Sequence, residues 1–393
     1  MSRAGSQQRT LLEILGRVRP HWRRDAGLPA RIDALLGGDR RLGSRDRRLY
    51  LELVYTAVRY LPWIEPLLES APAEAVRRIA WLSADSPESA PFRAEIASGL
   101  PDCPAGADQK ASILGADVDA LSPAWLRAEC PGAFLPPLRE ALLSRAPLWL
   151  RLQTGDAASV LGEFDRLGWR WRRSALRPDA VELPPGTDVA RTEAYASGRV
   201  EIQDIGSQLI LASVGVVPGG RWLDACAGSG GKTLQLAALL GPAGRVAARD
   251  IRSAALEELQ LRAARAGVAG RIQVGPGADP RGGYDGVLLD APCSGSGTWR
   301  RAPHLKWVTS AGDVRRASEL QRRLLDESAP RVRPGGLLVY ATCSLCASEN
   351  EAVAAAFLGG NPAYAAQAPG RTLLPQSHNG DGFFCAPFRR SPA

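Results

Sequence analysis

The spacing of hydrophobic residues divides the chain into a helical first part and a second part in which strands and helices alternate. Apolar residues recur at helical intervals through the first 145 residues, and four prolines between residues 72 and 101 break the later helices into short ones. Residues 1–145 are therefore predicted to form an all-α domain. Its sequence contains no recognisable group of catalytic side chains.

Around residue 146 the pattern changes to a small α+β segment that extends to residue 205. A strand is predicted at 148–152, a helix at 157–167 and a further strand at 200–202. Two tryptophans and three arginines alternate over residues 169–173, which suits a nucleic-acid face. An amphipathic strand with a solvated arginine edge accounts for them equally well.

From residue 206 to residue 393, strands alternate with helices, which predicts an α/β fold with a parallel sheet. The strands are predicted at Arg221–Asp224, Arg245–Asp250, Ile272–Val274, Gly286–Asp290 and Leu337–Tyr340, and the longest helices at Ser253–Ala266 and Asp313–Ala329. Ligands of such sheets bind beyond the carboxyl ends of the strands. We therefore expect the functional residues in the loops that follow these strands.

Composition adds a weak indication of a nucleic-acid partner. The 393 residues carry a formal net charge of +8, almost all of the basic excess being arginine, which binds phosphate and stacks on bases. Arginine-rich chains also arise from genome composition, so charge alone does not decide whether the protein binds nucleic acid. Seven cysteines in a long chain do not resemble a disulfide framework, and no apolar run approaches the length of a membrane span. These features predict a soluble, cytoplasmic protein that is not attached to a membrane.

The first of these strands leads into a glycine-rich loop that admits two interpretations. Gly231-Lys232-Thr233 ends like a phosphate-binding P-loop of an NTPase, but Cys226 stands where that motif requires its first glycine. The alternative ligand is S-adenosylmethionine. Asp250, at the end of the second strand, would then hold the ribose hydroxyls, and Asp279, after the third, would contact the adenine.

Two further loops carry cysteines, Cys293 after the fourth strand and Cys343 after the fifth. A thiolate that adds to carbon 6 of a cytosine makes carbon 5 nucleophilic enough to accept a methyl group, and Asp290 could hydrogen-bond the edge of the base. Most free cysteines are buried packing residues, but loops rich in Gly, Ser and Pro are poor sites for apolar burial. Cys343-x-x-Cys346 also admits a redox or zinc site, although the further ligands that zinc requires are not apparent, and no metal is expected.

At these residues the sequence resembles the bacterial Sun/Fmu and eukaryotic Nop2/Sun family of RNA 5-methylcytosine methyltransferases. The segments that match are 203–208, 224–233, 288–301, 306–307, 340–344 and 349–351. The resemblance implies a Rossmann-like class I methyltransferase sheet with S-adenosylmethionine as cofactor. It implies Cys343 as the nucleophile, Cys293 as the residue that assists product release, and a cofactor site formed by Cys226, Ala227, Gly228, Ser229, Gly230, Gly231, Lys232, Asp250, Asp279 and Asp290.

The chain departs from the family pattern at two places. Gly228-Ser229 replaces Ala-Pro, which is expected to loosen the loop, and Trp299 replaces a smaller aliphatic residue, which is expected to reshape the RNA-facing loop. The first 70 residues resemble the NusB-like RNA-binding domain of the family's bacterial small-subunit enzyme, which implies 16S ribosomal RNA as substrate. A P-loop NTPase and a non-catalytic RNA-binding protein on the same fold remain as alternatives.

Overall fold

The computed structural model describes residues 2–275 and 283–392, and the chain forms two compact units. The helical unit comprises Met1–Leu143 and Ala302–Ser310, and the sheet unit comprises Ser144–Arg301 and Ala311–Ala393. In the part of the chain that is described, no helix has both the length and the apolar character needed to cross a membrane.

The helices of both units, numbered along the chain, have the following bounds. They are α1 Arg3–Val18, α2 Leu28–Gly38, α3 Ser44–Arg59, α4 Leu61–Ile64, α5 Leu67–Ser70, α6 Pro72–Leu82, α7 Ala90–Ile96, α8 Ala107–Leu114, α9 Leu126–Glu129, α10 Leu138–Leu143, α11 Ala157–Arg166, α12 Glu193–Ala196, α13 Ile205–Ala212, α14 Gly231–Leu240, α15 Ser253–Arg265, α16 Leu305–Val308, α17 Ala311–Ser328, α18 Glu351–Gly360 and α19 Pro375–His378.

The strands belong to two sheets in the sheet unit. They are β1 Leu148–Leu152, β2 Arg172–Arg173, β3 Ala180–Leu183, β4 Val200–Ile202, β5 Arg221–Asp224, β6 Arg245–Ala248, β7 Ile272–Val274, β8 Tyr284–Asp290, β9 Val332–Thr342, β10 Tyr364–Ala366, β11 Arg371–Leu373 and β12 Phe383–Arg390.

The helical unit is built around the apolar faces of its amphipathic helices. Leu11 of α1, Leu53 of α3 and Ile79 of α6 are fully buried in one continuous core. The segment 302–310, far away in sequence, packs into this unit through α16. Within it, Lys306 Nζ donates to the carbonyl of Arg59 at 3.3 Å and Trp307 Nε1 donates to that of Val58 at 2.7 Å. Both carbonyls belong to the last turn of α3, where helical carbonyls lack a partner within the helix.

The larger sheet has the strand order β10-β12-β9-β8-β5-β6-β7, with β11 beside β12. The five predicted strands are present and pair in parallel, so the predicted Rossmann-like α/β fold is confirmed. The sheet also contains strands that were not predicted, and one of them, β12, runs antiparallel to β9. Since β8 lies between β5 and β9, the loops that follow these three strands emerge side by side at the same edge.

The smaller sheet is antiparallel, with the order β2-β3-β1-β4, and α11 packs on it. The tryptophans predicted for a nucleic-acid face make contacts within this region: the Trp169 ring lies 5.5 Å from that of Phe164, and Trp171 Nε1 donates to Asp165 Oδ1 at 2.7 Å. Arg172 and Arg173 are exposed. The geometry favours the amphipathic strand with a solvated arginine edge over a stack of aromatic rings open to bases.

Candidate active site

A cleft of about 1130 Å³ opens at the carboxyl ends of the parallel strands in the sheet unit. It brings together most of the residues that the sequence singled out. Its lining includes Cys226, Ala227, Gly228, Ser229, Gly231, Lys232, Asp250, Asp290, Cys293 and Cys343. Two predicted residues are not in this lining. Gly230 belongs to the same loop and lies against Leu259. Asp279 lies outside the described residues.

The glycine-rich loop turns sharply between β5 and α14. The Ala227 N–H donates to the Arg249 carbonyl at 2.7 Å, which holds the loop against the end of β6. Gly228 has a φ of 52° and Gly230 a φ of 91°, conformations in which glycine has little steric cost. A Cβ at Gly230 would lie 2.6 Å from Leu259 Cγ of α15, so this position requires glycine for space as well.

The Gly228-Ser229 departure from the family pattern is held in place by a contact from α15. Arg262 Nη1 donates both to the Ser229 carbonyl at 2.7 Å and to its hydroxyl at 2.9 Å. The expected loosening is therefore opposed by two hydrogen bonds. Trp299, the other departure, is 2% exposed, so any effect on the shape of its loop would come from packing inside the protein. Its indole is part of the packing.

Asp250 follows β6 and supports the loop from the other side. Its carboxylate accepts a hydrogen bond from the Gly228 N–H at 2.8 Å and others from the backbone and guanidinium of Arg252. Burial acts to raise the pKa of Asp250, but the hydrogen bonds from Arg252 and from Gly228 outweigh it and hold the pKa below its usual value. Asp250 is therefore an anion at neutral pH, and its carboxylate lines the cleft.

The next residue, Ile251, was not singled out in the sequence. Its side chain is 99% exposed although it is large and apolar, and it lines the cleft together with Leu256, Leu320 and Leu324. A fully exposed isoleucine beside a ligand cleft is suited to covering the face of a flat ring. The sequence signal was an isoleucine in a loop directly after a strand-end aspartate.

Lys232 lies in the first turn of α14 and points to the loop after β8. Its Nζ donates to Asp290 Oδ2 at 2.8 Å, and the side chain is 8% exposed. Burial disfavours the ammonium, but the Asp290 carboxylate outweighs burial and raises the pKa of Lys232 above its usual value. Lys232 is therefore an ammonium ion at neutral pH.

The same turn disfavours the P-loop interpretation. A P-loop uses its lysine for the phosphates of a nucleotide and its Ser/Thr hydroxyl for Mg²⁺. Here Lys232 is committed to Asp290, and the Thr233 hydroxyl donates to the buried Asp224 carboxylate at 2.7 Å. Neither side chain is available for those contacts.

The two cysteine loops meet at the cleft. Cys293 Sγ and Cys343 Sγ lie 3.3 Å apart, both are free thiols, and both line the cleft. The hydrogen bond with Cys343, burial and the nearby negative charges raise the pKa of the Cys293 thiol well above its usual value. The Cys293 thiol therefore stays protonated at neutral pH, and its S–H can donate to the Cys343 sulfur.

The third cysteine of this region, Cys346, has a different environment. It is fully buried, its Sγ lies 3.6 Å from the Ser296 hydroxyl, and burial raises the pKa of its thiol to about 12. Such a thiol is inert as a nucleophile or redox partner. Among the described residues no group of three or more His, Cys, Asp or Glu side chains is arranged to hold a metal ion.

The cleft offers the hydrogen-bonding groups and the apolar surface that S-adenosylmethionine needs. The loop presents backbone N–H groups at the start of α14, Asp250 is an anionic acceptor, and the apolar side chains of Ile251, Leu256 and Leu320 offer a surface for a base. Burial raises the pKa of the Cys226 thiol to about 12, so this loop residue stays neutral beside the ligand.

A Rossmann-like sheet with an S-adenosylmethionine cleft at its carboxyl edge defines a class I methyltransferase. The family model described as 16S rRNA methyltransferase RsmB/F matches residues 214–389. The ribosomal RNA small subunit methyltransferase B of Escherichia fergusonii is 32% identical over 296 residues, which cover 70% of this chain and 68% of the relative. The chain belongs to the RsmB/F family, which confirms the predicted family and its cofactor, S-adenosylmethionine.

Two further relatives carry the same description. The protein of Salmonella arizonae is 34% identical over 288 residues (69% of this chain, 66% of the relative), and that of Vibrio cholerae is 35% identical over 263 residues (63% and 59%). The aligned residues thus span less than two thirds of these two relatives.

Solved structures show the same fold. The crystal structure of PH0851 superposes with a TM-score of 0.75 and 22% identity, covering 99% of this chain and all of that one. A methyltransferase homolog protein from Pyrococcus horikoshii has a TM-score of 0.58 and 25% identity, covering 72% of this chain and 98% of its own.

Proposed function

We propose that this chain methylates carbon 5 of a cytosine in 16S ribosomal RNA through a covalent bond between Cys343 and the base. The observation that carries the proposal is the pair of sulfur atoms, 3.3 Å apart, in the lining of the cofactor cleft. Methyl transfer to an oxygen or nitrogen atom needs no thiol, whereas transfer to carbon 5 of a pyrimidine needs a nucleophile at carbon 6.

The reaction begins at Cys343. Its thiolate adds to carbon 6 of the cytosine, and the electrons of the double bond move to carbon 5. Asp290 lies beside the cysteine loops and is oriented by Lys232, so the pair can hold the polar edge of the base and balance the charge that develops there. When bound, S-adenosylmethionine supplies an electrophilic methyl group and departs as an uncharged thioether.

Two events then release the product. A base takes the proton from carbon 5, and the electrons of that C–H bond form the double bond between carbons 5 and 6. The Cys343 sulfur leaves carbon 6 with the electrons of the bond that breaks. Cys293 lies at hydrogen-bond distance from the Cys343 sulfur, so its thiol can exchange protons with the leaving sulfur. We assign the nucleophile to Cys343 and assistance in release to Cys293.

The choice of 16S ribosomal RNA follows the names of the relatives, which are small subunit methyltransferases. We assign RNA binding to the helical residues 1–145, a joining role to 146–205 and catalysis to 206–393. The formal net charge of +8 suits an RNA partner. A ribosomal substrate would place the protein in the cytoplasm.

The test compares Cys343→Ala and Cys293→Ala with the wild-type protein on small-subunit ribosomal RNA from cells that lack the enzyme. Cys343→Ala should give no 5-methylcytosine by bisulfite sequencing. Cys293→Ala should accumulate a protein–RNA adduct that survives denaturing electrophoresis. Cys385→Ala, at a buried cysteine of β12 that does not line the cleft, is the matched control and should methylate normally. Normal methylation by Cys343→Ala would refute the proposal.

The same preparation separates the alternative functions. Calorimetry should show binding of S-adenosylmethionine and none of Mg-ATP, because Lys232 and Thr233 are engaged within the protein. Tight binding of Mg-ATP alone would point to an NTPase. Binding of the cofactor and of RNA without turnover on any cytosine would point to a non-catalytic RNA-binding protein.

A further inference from the structure

The two cysteine loops are joined by a buried carboxylate that the mechanism above does not use. Glu349 is fully buried, in the turn that precedes α18. Its Oε1 accepts the Ser294 N–H at 2.7 Å, and its Oε2 accepts the Ser294 hydroxyl at 2.5 Å and the Ser344 hydroxyl at 2.5 Å. Ser294 follows Cys293, and Ser344 follows Cys343. The Glu349 side chain therefore accepts hydrogen bonds from both loops, in each case from the residue that follows the cysteine.

Asn350 holds the second loop on both sides of its cysteine. Its Oδ1 accepts the Thr342 hydroxyl at 2.6 Å, and its Nδ2 donates to the Ser344 carbonyl at 2.9 Å. Gln321 of α17 completes the arrangement, because its amide donates to the Pro292 carbonyl at 2.9 Å and to Glu349 at 3.2 Å. The residues on either side of Cys343 are thus fixed by Glu349 and Asn350.

A buried carboxylate is costly unless its oxygens are hydrogen-bonded, and burying a charge for packing alone is unfavourable. Glu349 is satisfied by four neutral donors, and three of them belong to the serines beside the two cysteines. The arrangement makes the position of one loop depend on that of the other. It also places a negative charge close to the thiol that has to stay protonated.

We propose that Glu349 is a positioning residue that fixes the separation of the Cys293 and Cys343 sulfurs and determines which of them acts as the nucleophile. This inference rests on the proposed function. The Glu349 charge contributes to the raised pKa of the Cys293 thiol, after its hydrogen bond with Cys343, burial and the Cys343 charge. It thereby favours Cys293 as proton donor and leaves the role of nucleophile to Cys343.

The first experiment needs neither RNA nor cofactor. The full-length protein is treated with iodoacetamide across a pH series, and alkylation of Cys293 and Cys343 is quantified by mass spectrometry. In Glu349→Gln the charge is lost, so alkylation of Cys293 relative to Cys343 at pH 8 should rise about fivefold or more. Glu349→Asp keeps the charge but is too short to reach both serines, so it should retain the wild-type ratio.

The second experiment measures methylation of small-subunit ribosomal RNA by the same variants. The value of kcat should fall about 100-fold in Glu349→Gln and at least about tenfold in Glu349→Asp, because small displacements of reacting groups are costly. The KM for RNA should change less than about twofold, since Glu349 has no exposed surface to contact RNA. Glu351→Gln removes an exposed carboxylate at the start of α18 and is the matched control, with wild-type kcat and alkylation ratio.

A wild-type alkylation ratio in Glu349→Gln, or a wild-type kcat, would overturn the inference. If Glu349→Gln does not fold, Ser344→Ala decides, because it removes one hydroxyl donor and should still lower kcat about tenfold. The proposed function fails separately, when Cys343→Ala methylates normally. An inactive Cys343→Ala beside a fully active Glu349→Gln would refute the positioning role alone.

Discussion

Lys232 Nζ and Asp290 Oδ2 form a 2.8 Å ion pair that joins the start of α14 to the loop of the first cysteine. The lysine side chain is 8% exposed and that of the aspartate 30%. The ammonium fixes the carboxylate that lines the cleft, so one contact joins the glycine-rich loop to the end of β8, from which the Cys293 loop begins.

Lys232→Met should lower kcat about 100-fold while binding of S-adenosylmethionine changes little, because the ammonium orients Asp290. It should also destabilise the fold by about 2–3 kcal/mol, since the partner charge is left partly buried. Urea unfolding and steady-state kinetics measure the two effects. The double variant Lys232→Met/Asp290→Asn should recover part of the stability but none of the activity. Additive losses of stability would show that the two side chains are not coupled.

Asp224 predicts a pH dependence of stability. Burial raises its pKa in the folded protein to about 7, against about 3.9 in an unfolded chain. Between these values the folded state keeps a proton that the unfolded state releases, so this group's contribution falls as pH rises from about 4 to 7 and is constant above. Asp224→Asn should therefore reduce the loss of unfolding free energy between pH 5 and 8 by about 2–3 kcal/mol. The exposed Asp188→Asn should leave the loss unchanged, and equal slopes in all three proteins would contradict the assignment.

Ile251 offers a test of the cofactor cleft that does not involve the fold. Ile251→Ser should weaken binding of S-adenosylmethionine about five- to tenfold, the equivalent of about 1 kcal/mol of apolar contact. Its unfolding free energy should stay within about 0.5 kcal/mol, because the side chain is 99% exposed. Val217→Ser, at a residue that is 74% exposed and does not line the cleft, should bind the cofactor normally. Calorimetry with the cofactor alone is sufficient, and unchanged affinity in Ile251→Ser would exclude the contact.

Gly230→Ala should be destabilising. The residue has a φ of 91°, and the added methyl would lie 2.6 Å from Leu259 Cγ. We expect a loss of about 2–4 kcal/mol from backbone strain and overpacking, with weaker cofactor binding because the loop moves. Gly359→Ala in α18, where a Cβ meets nothing within 4 Å, should be neutral or stabilising by up to about 1 kcal/mol. Equal effects at the two glycines in urea unfolding would rule out the steric argument.

The sequence predicted the parts of the fold that depend on local pattern. The strands β5 to β9 follow from short apolar runs between turn residues, and the loops after them follow from the geometry of parallel sheets. The strand β12 was missed because Pro387 argues against a paired interior strand, yet this strand pairs with β9 along Phe384 to Arg389. The antiparallel part of the sheet could therefore not be predicted from the spacing of hydrophobic residues.

The long-range partners of Glu349 and Lys232 could not be predicted, for a different reason. Glu349 stands in a polar stretch that resembles a solvated turn, and only the fold brings it to Ser294, 55 residues away. Lys232 was expected beside the cofactor, but its commitment to Asp290 is a contact over 58 residues. Spacing along the chain identifies strand ends and their side chains, and it contains no information on which of them pair.

The segment 302–310 leaves the sheet unit after Arg301 and packs in the helical unit, where His304, Lys306 and Trp307 bond to carbonyls of Ala26, Arg59 and Val58. The helical unit is therefore assembled from two separate stretches of the polypeptide. A truncated protein that begins at residue 144 would lack the carbonyls that accept hydrogen bonds from Lys306 and Trp307, and it would expose the Trp307 indole. A chimaera with a relative would have to exchange both stretches of the helical unit together, so a single junction in the sequence cannot separate the two units.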